Sequence, residues 1–313
     1  MKKIGFLFPG QGSQFVGMGK DLYNQFSVVK NLFEEINKKL GIDVINVMFN
    51  GPETKLRNTL YTQLAVFLHS IAVDILLKEE GVTADCVAGH SLGEYTAIVS
   101  AEGLSFEEGL RLVYYRAKIM AENNNDKLGK MVAVIGLGYD EIKKVCDEVS
   151  SSGKVVSIAN YNTQTQIVVS GENKAVDSVC DKLLKKGAKK IVPLAVGGAF
   201  HSYLMLDAQK KFVEYINRIK LNDTKIPIVL NTTATITQNK DEIKKEMESH
   251  MISTVRWYDS VKKMFEFGIN TFIEIGPGKV LKGLLMEIDR KIKVFSTYNV
   301  SEIEYTLKNL GTI

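Results

Sequence analysis

Short apolar runs alternate with helical spacings along nearly the whole chain, and that alternation predicts an α/β fold. Ile4 to Phe8 reads as a first strand, cut off by Pro9 and Gly10. The run "DCVAGH" is a second short strand, and "SLGEYTAIVSAEGL" continues it as a helix rich in small residues. Ahead of these, "TQLAVFLHSIAVDILLKEE" is apolar on too many sides for a surface helix, which predicts a long, largely buried one. Near the C-terminus, "NTFIEIGPG" reads as strand then turn, and "KVLKGLLMEI" as the next helix.

The middle of the chain has its own rhythm. "MVAVIGL", "YDEIKKVCDEVSS" and "KVVSIAN" read as strand, helix and strand, and "TQIVVSG", "NKAVDSVCDKLLKKG" and "KKIVPLA" repeat that order. A βαββαβ succession is the split-βαβ, ferredoxin-like pattern. The polar run "AENNNDKLGK" before it and "VGGAF" after it look like linkers. The expectation is a small domain at 126–197, from Asp126 to Gly197, inserted into a larger α/β body made of 1–125 and 198–313.

Composition narrows the class without naming a chemistry. With 313 residues, 45% of them apolar and 24% charged, the chain suits a globular body carrying a small extra domain. A net charge of +4 is weak evidence for an acidic partner and no evidence for nucleic acid. Cys86, Cys146 and Cys180 are odd in number and lack metal-ligand spacing, so a reducing, cytoplasmic setting is expected and no metal. Lys2 and Lys3 ahead of an apolar run mimic a signal peptide, but Pro9 and Gly10 end the run too early. No window is expected to be apolar for long enough to span a bilayer.

Gly89-His90-Ser91-Leu92-Gly93 fits G-x-S-x-G between a strand and a helix, the context in which that motif holds a nucleophile. There the hydroxyl stands proud of the sheet at a helix N-terminus, and the amide of Leu92 faces the oxyanion of a tetrahedral intermediate. The alternative is that Ser91 merely caps the helix, since Ser91 and Glu94 also have capping-box spacing. A nucleophilic serine needs a base. Of the four histidines, His69 lies on the long apolar helix as a core residue, and strand alternation turns His90 away from the face of Ser91. His201, in "GGAFHSYLM" at the return from the insert, is the favoured base; it is otherwise an ordinary helix-start residue, and His250 is the reserve.

Helical spacing places Arg116 among Gly109, Leu112, Val113, Ile119 and Met120, with Arg111 on the solvated side. A guanidinium on an apolar face needs an anion, and its planar fork suits a carboxylate. That anion is either a structural Asp or Glu or the carboxylate of a substrate. "FPGQGSQ" lacks the spacing of a phosphate loop. As a tight turn it either is an ordinary glycine turn or brings the amide of Gln11 beside Ser91 as a second oxyanion donor.

Taken in order, "FPGQGSQ", "GHSLGE", "YYRAK", "NYNTQTQIVVSG", "AFHS", "EIGPGKVL" and "YNV" resemble the signatures of the malonyl-CoA:acyl carrier protein transacylase family of fatty-acid synthesis. The resemblance covers nearly the whole chain and implies an α/β-hydrolase-like body with a ferredoxin-like insert. It implies Ser91 as acylated nucleophile, His201 as general base, Gln11 and Leu92 as oxyanion amides, and Arg116 as holder of the malonyl carboxylate. Gln63 and Asn160 match pocket positions, and Phe200 matches the variant associated with malonyl rather than methylmalonyl units. The implied partners are malonyl-CoA, as substrate rather than cofactor, and acyl carrier protein, with "KLLKKGAKK" (182–190) either a docking surface or a solvated helix end. A chain opening on its own Met1 favours a discrete enzyme, and a monomer is expected.

Two positions depart from the family pattern. His250 stands where the family usually has a glutamine whose main-chain carbonyl orients the catalytic histidine, and Leu64 stands where proline is common. The rival function is a serine hydrolase or thioesterase of the α/β-hydrolase type, whose usual order is serine, acid and a late histidine. A catalytically inactive docking subunit is a second rival.

Overall fold

The computed structural model describes residues 2–123 and 129–311. Among them ten strands build two sheets: β1 Ile4–Phe8, β2 Cys86–Gly89, β3 Gly129–Ile135, β4 Val156–Thr163, β5 Gln166–Glu172, β6 Lys190–Pro193, β7 Ile228–Val229, β8 Ile236–Thr237, β9 Thr271–Glu274 and β10 Lys293–Ser296. The first sheet has the order β10-β9-β1-β2-β7-β8. Its first five strands run parallel and β8 closes the edge antiparallel. Parallel strands covered on both faces read as unbroken apolar runs, and Phe6, Leu7, Phe8, Val87 and Ala88 are indeed buried. The architecture is mixed α/β with a parallel sheet, as expected.

The second sheet has the order β4-β5-β3-β6 and is antiparallel throughout. Its elements follow the anticipated βαββαβ succession, although the expected boundary at Asp126 lies outside the described residues. Side chains alternate along β3: Val132 and Val134 join Ile142, Val145, Val179 and Leu183 of the two covering helices, whereas Met131 joins the core of the first sheet. Both faces are thereby buried. The edge strand β4 is extended by a parallel bridge to the segment around Val255, with Tyr161 N donating to Val255 O at 2.8 Å and Val255 N to Ala159 O at 2.8 Å.

One expectation is corrected here. The helix Thr59–Glu79 is 21 residues long and contains an 18-residue stretch with a mean hydropathy of 1.7, long and apolar enough to cross a bilayer. Its apolar surface is spent on the protein instead: 83% of that stretch is buried, packed against the helices Leu92–Ser100 and Phe106–Glu122. Phe106–Glu122 starts with the capping box read from the sequence, Ser105 accepting from Glu108 N and Glu108 from Ser105 N.

Candidate active site

Three neighbouring parallel strands, β1, β2 and β7, end on the same edge of the first sheet. Just beyond those ends lie Gln11, Ser91 and Asn231. The carboxyl edge of a parallel sheet is where open α/β folds hold ligands.

Ser91 has φ 51° and ψ −104°, a left-handed backbone that costs a side-chain-bearing residue of order 1–3 kcal/mol. The flanking glycines make the turn possible. A Cβ on Gly89 would overlap the backbone of Gly93, and one on Gly93 would overlap the carbonyl of Phe8. The helix therefore sits directly on β1, and His90 N donates to Phe8 O at 2.9 Å. Ser91 makes no side-chain capping bond, and Glu94 Oε1 accepts from Asn231 N at 2.9 Å rather than closing a capping box. The capping alternative is thus not realised.

The Ser91 Oγ lies 2.8 Å from His201 Nε2. His201 Nδ1 is 3.0 Å from both His250 O and Ser253 O. Carbonyl oxygens only accept, so the ring proton resides on Nδ1 and the Nε2 lone pair faces the serine. Like Ser91, His201 has a positive φ, 58°. Burial, then the charge of Arg116, push its pKa down to about 3. The favoured base is therefore in contact with the serine and neutral over a wide pH range.

The other histidines separate by environment. His69 is buried with Nε2 3.1 Å from Tyr298 O, a core residue as anticipated. His90 contributes to the wall of the same cavity as Ser91, but its ring lies against Trp257. Its Nε2 is held 2.9 Å from Asn162 Oδ1, away from the serine hydroxyl. His250 supplies its carbonyl to His201, while its own Nδ1 is 3.2 Å from Tyr95 Oη and 3.2 Å from Glu94 Oε2. Burial lowers His250 well below the ordinary histidine value and raises Glu94 well above the ordinary carboxylate value. The backbone part expected of this position is present, and the side chain does not reach Ser91.

Arg116 is 1% exposed. Its Nη1 donates to Gln63 Oε1 at 2.6 Å and its Nη2 to Ser91 Oγ at 3.2 Å. The Tyr95 ring lies 5.0 Å from Cζ, and Nε has no partner. No carboxylate pairs with it among the described residues, which removes the structural Asp or Glu alternative. Burial lowers its pKa, opposed first by Tyr95. Its direct neighbours are an amide, a hydroxyl and a ring face, with no carboxylate in ion-pair contact.

A cavity of about 80 Å³ joins these groups. Gln11, Gln63, Ser91, Leu92, Arg116, Asn160, Phe200 and His201 all line it, as read from the sequence. A bulge in β4, between Ile158 and Asn160, re-aims Asn160 toward the cavity. Met120, Met131, Leu194 and Val196 complete the apolar wall and were not anticipated, since an apolar residue that lines a pocket has the spacing of one that fills a core. Two further unanticipated positions support the site from outside: Ser253, through its carbonyl, and Asn231, whose Oδ1 accepts from Ser91 N at 2.8 Å. Nothing in the sequence around Asn231 sets it apart.

Two outcomes follow from this geometry. Gly93→Ala displaces the turn from Phe8, and a shift of about 1 Å costs about 10²-fold in rate; the reaction of Ser91 with a serine-directed sulfonyl fluoride, followed by intact mass, measures it. In the unaltered protein that reaction keeps more than half its plateau rate at pH 5.5, because a base with a lowered pKa stays neutral into acid. An ordinary histidine would be only about one-tenth neutral there. A half-maximal rate near pH 6.5 would contradict the low value.

Comparison with known proteins adds the lineage. The acyl transferase domain family model matches residues 5–300. A malonyl CoA-acyl carrier protein transacylase of Bacillus subtilis is 40% identical over 310 residues, covering 99% of this chain and 98% of the relative. Among solved structures, the MCAT of Streptococcus pneumoniae superposes with a TM-score of 0.93 at 39% identity, over 98% of this chain and 100% of that one. A malonyl-transacylase in complex with its type II PKS acyl-carrier protein superposes with a TM-score of 0.95 at 35% identity, over 98% and 100%. The chain belongs to the malonyl CoA-acyl carrier protein transacylase family, within the acyl transferase domain fold.

Proposed function

We propose that this protein transfers a malonyl group from coenzyme A to the phosphopantetheine thiol of acyl carrier protein through a malonyl-serine ester, supplying extender units for fatty-acid synthesis. The observation that carries the reading is the shared position of Ser91 Oγ, 2.8 Å from the His201 base and 3.2 Å from an Arg116 guanidinium that pairs with no carboxylate. A short diacid thioester presents a carbonyl to the first and a carboxylate to the second.

In the first half-reaction His201 Nε2 takes the Ser91 proton as Oγ attacks the thioester carbonyl. The amides of Leu92 and Gln11 receive the oxyanion. Collapse breaks the carbon–sulfur bond, and the departing thiolate takes the proton from His201. In the second half-reaction the carrier's thiol gives its proton to His201 and attacks the ester, and Ser91 leaves with that proton. A thiol ionises near pH 8.5, so its departure asks little of the acid. That agrees with an imidazole backed by two neutral carbonyls instead of a carboxylate, unlike the serine–histidine–acid arrangement of the rival hydrolases.

The body with its parallel sheet is read as α/β-hydrolase-like and the unit built on β3 to β6 as a ferredoxin-like insert, whose sheet order supports the reading. In the run 182–190, Lys185, Lys186, Lys189 and Lys190 are exposed, which suits an acidic carrier domain. A cytoplasmic monomer that uses no metal or cofactor completes the proposal.

Intact mass after malonyl-CoA, then after pantetheinylated carrier protein, tests the function: an adduct on Ser91 that persists in water and leaves to the thiol is expected, and rapid loss to water would indicate a hydrolase. A charge-assisted hydrogen bond contributes about 1.5–3 kcal/mol, so two of them favour malonyl over acetyl by about 10²- to 10⁴-fold. Arg116→Ala accordingly removes malonyl loading while acetyl loading stays within about tenfold. An equal loss of both would make Arg116 structural.

A further inference from the structure

We propose that Asn231 is a positioning residue that clamps the nucleophile turn from the neighbouring strand end; this rests on Ser91 being the acylated group. The Asn231 amide bridges the two sides of the turn. Its Oδ1 accepts from Ser91 N at 2.8 Å, and its Nδ2 donates to Gly89 O at 2.7 Å. These partners fix the orientation of the amide, since an N–H only donates and a carbonyl only accepts.

Asn231 is itself fixed from both directions. Its N donates to Glu94 Oε1 at 2.9 Å, and its O accepts from Arg256 N at 2.8 Å. Asn231 is 1% exposed and Glu94 is fully buried, so these bonds are sheltered from solvent. The partner segment matters as much as the residue. The stretch from His250 to Arg256 also offers His250 O and Ser253 O to His201. One buried asparagine therefore joins the turn carrying Ser91 to the strap that orients His201, and it sets the separation of the two reacting atoms.

The carboxylate at the same place provides a test that a merely structural residue would not answer. In Asn231→Asp, an ionised side chain keeps an acceptor for Ser91 N but sets a second oxygen against Gly89 O. The protonated acid restores the donor. The titratable and charged groups around it are Glu94 and Glu246, bonded to the backbone of residues 231 and 232. His90, His201, His250 and Arg116 lie around the same turn. A negative charge on either acid holds the new carboxyl protonated to higher pH, the Arg116 guanidinium opposes it, and the three histidines, all shifted down by burial, add little.

The experiment is single-turnover acylation by malonyl-CoA, read by intact mass for rate and for final stoichiometry on Ser91, from pH 9 to pH 5.5. Asn231→Ala is expected to acylate to full stoichiometry about 10²-fold more slowly, the effect of a displacement near 1 Å. The Asn231→Asp rate, divided by that of the unaltered protein, is expected to rise as pH falls. An alanine variant within about threefold of the unaltered rate overturns the clamp. So does an aspartate ratio that stays constant over the whole range, whatever the alanine variant does. Absence of any adduct from the unaltered protein overturns the nucleophile reading instead.

Discussion

The site depends on one unfavourable turn. Ser91 occupies a left-handed backbone conformation at the join of strand and helix, where its hydroxyl stands clear of the sheet. That conformation persists because the surroundings over-determine it. Glycines at 89 and 93 let the turn and its helix press against β1, and Asn231 ties both sides of the turn to β7. The strain is local and the restraint comes from three strands.

The polar chemistry follows from burial. His201 and Arg116 are both nearly inaccessible, and neither has a carboxylate partner among the described residues. Burial first, and then the positive guanidinium beside it, hold the imidazole neutral, which suits a base. The same guanidinium, paired only with an amide and a hydroxyl, is completed by an incoming anion. Selectivity for a carboxylated acyl group and readiness of the base therefore share one setting, a buried site that holds an imidazole beside a guanidinium.

Much of this was legible in local spacing. Strands bounded by glycine and proline, a serine between glycines and an arginine on an apolar helical face each declare themselves within a few residues. Gln63, Asn160, Phe200 and the backbone part of His250 came from resemblance, since nothing in their spacing sets them apart. Other features lay beyond reach for physical reasons. His201 is oriented by two main-chain carbonyls, which leave no trace in side-chain identity. The helix Thr59–Glu79 was legible as long and largely buried, but its hydropathy alone does not tell a protein core from lipid. β7 and β8 are two residues each, too short for any period, so Asn231 had no strand pattern to sit on.

The central claim is that a serine hydroxyl and a buried guanidinium hold opposite ends of one short diacid. The most direct measurement is a crystal structure of the malonyl-enzyme trapped before the second thiol is supplied. The predicted result is an ester on Ser91 Oγ with its carbonyl oxygen toward the amides of Leu92 and Gln11, and a carboxylate paired with both terminal nitrogens of Arg116. An adduct on any other residue, or a carboxylate pointing to solvent with Arg116 unpaired, would contradict the account.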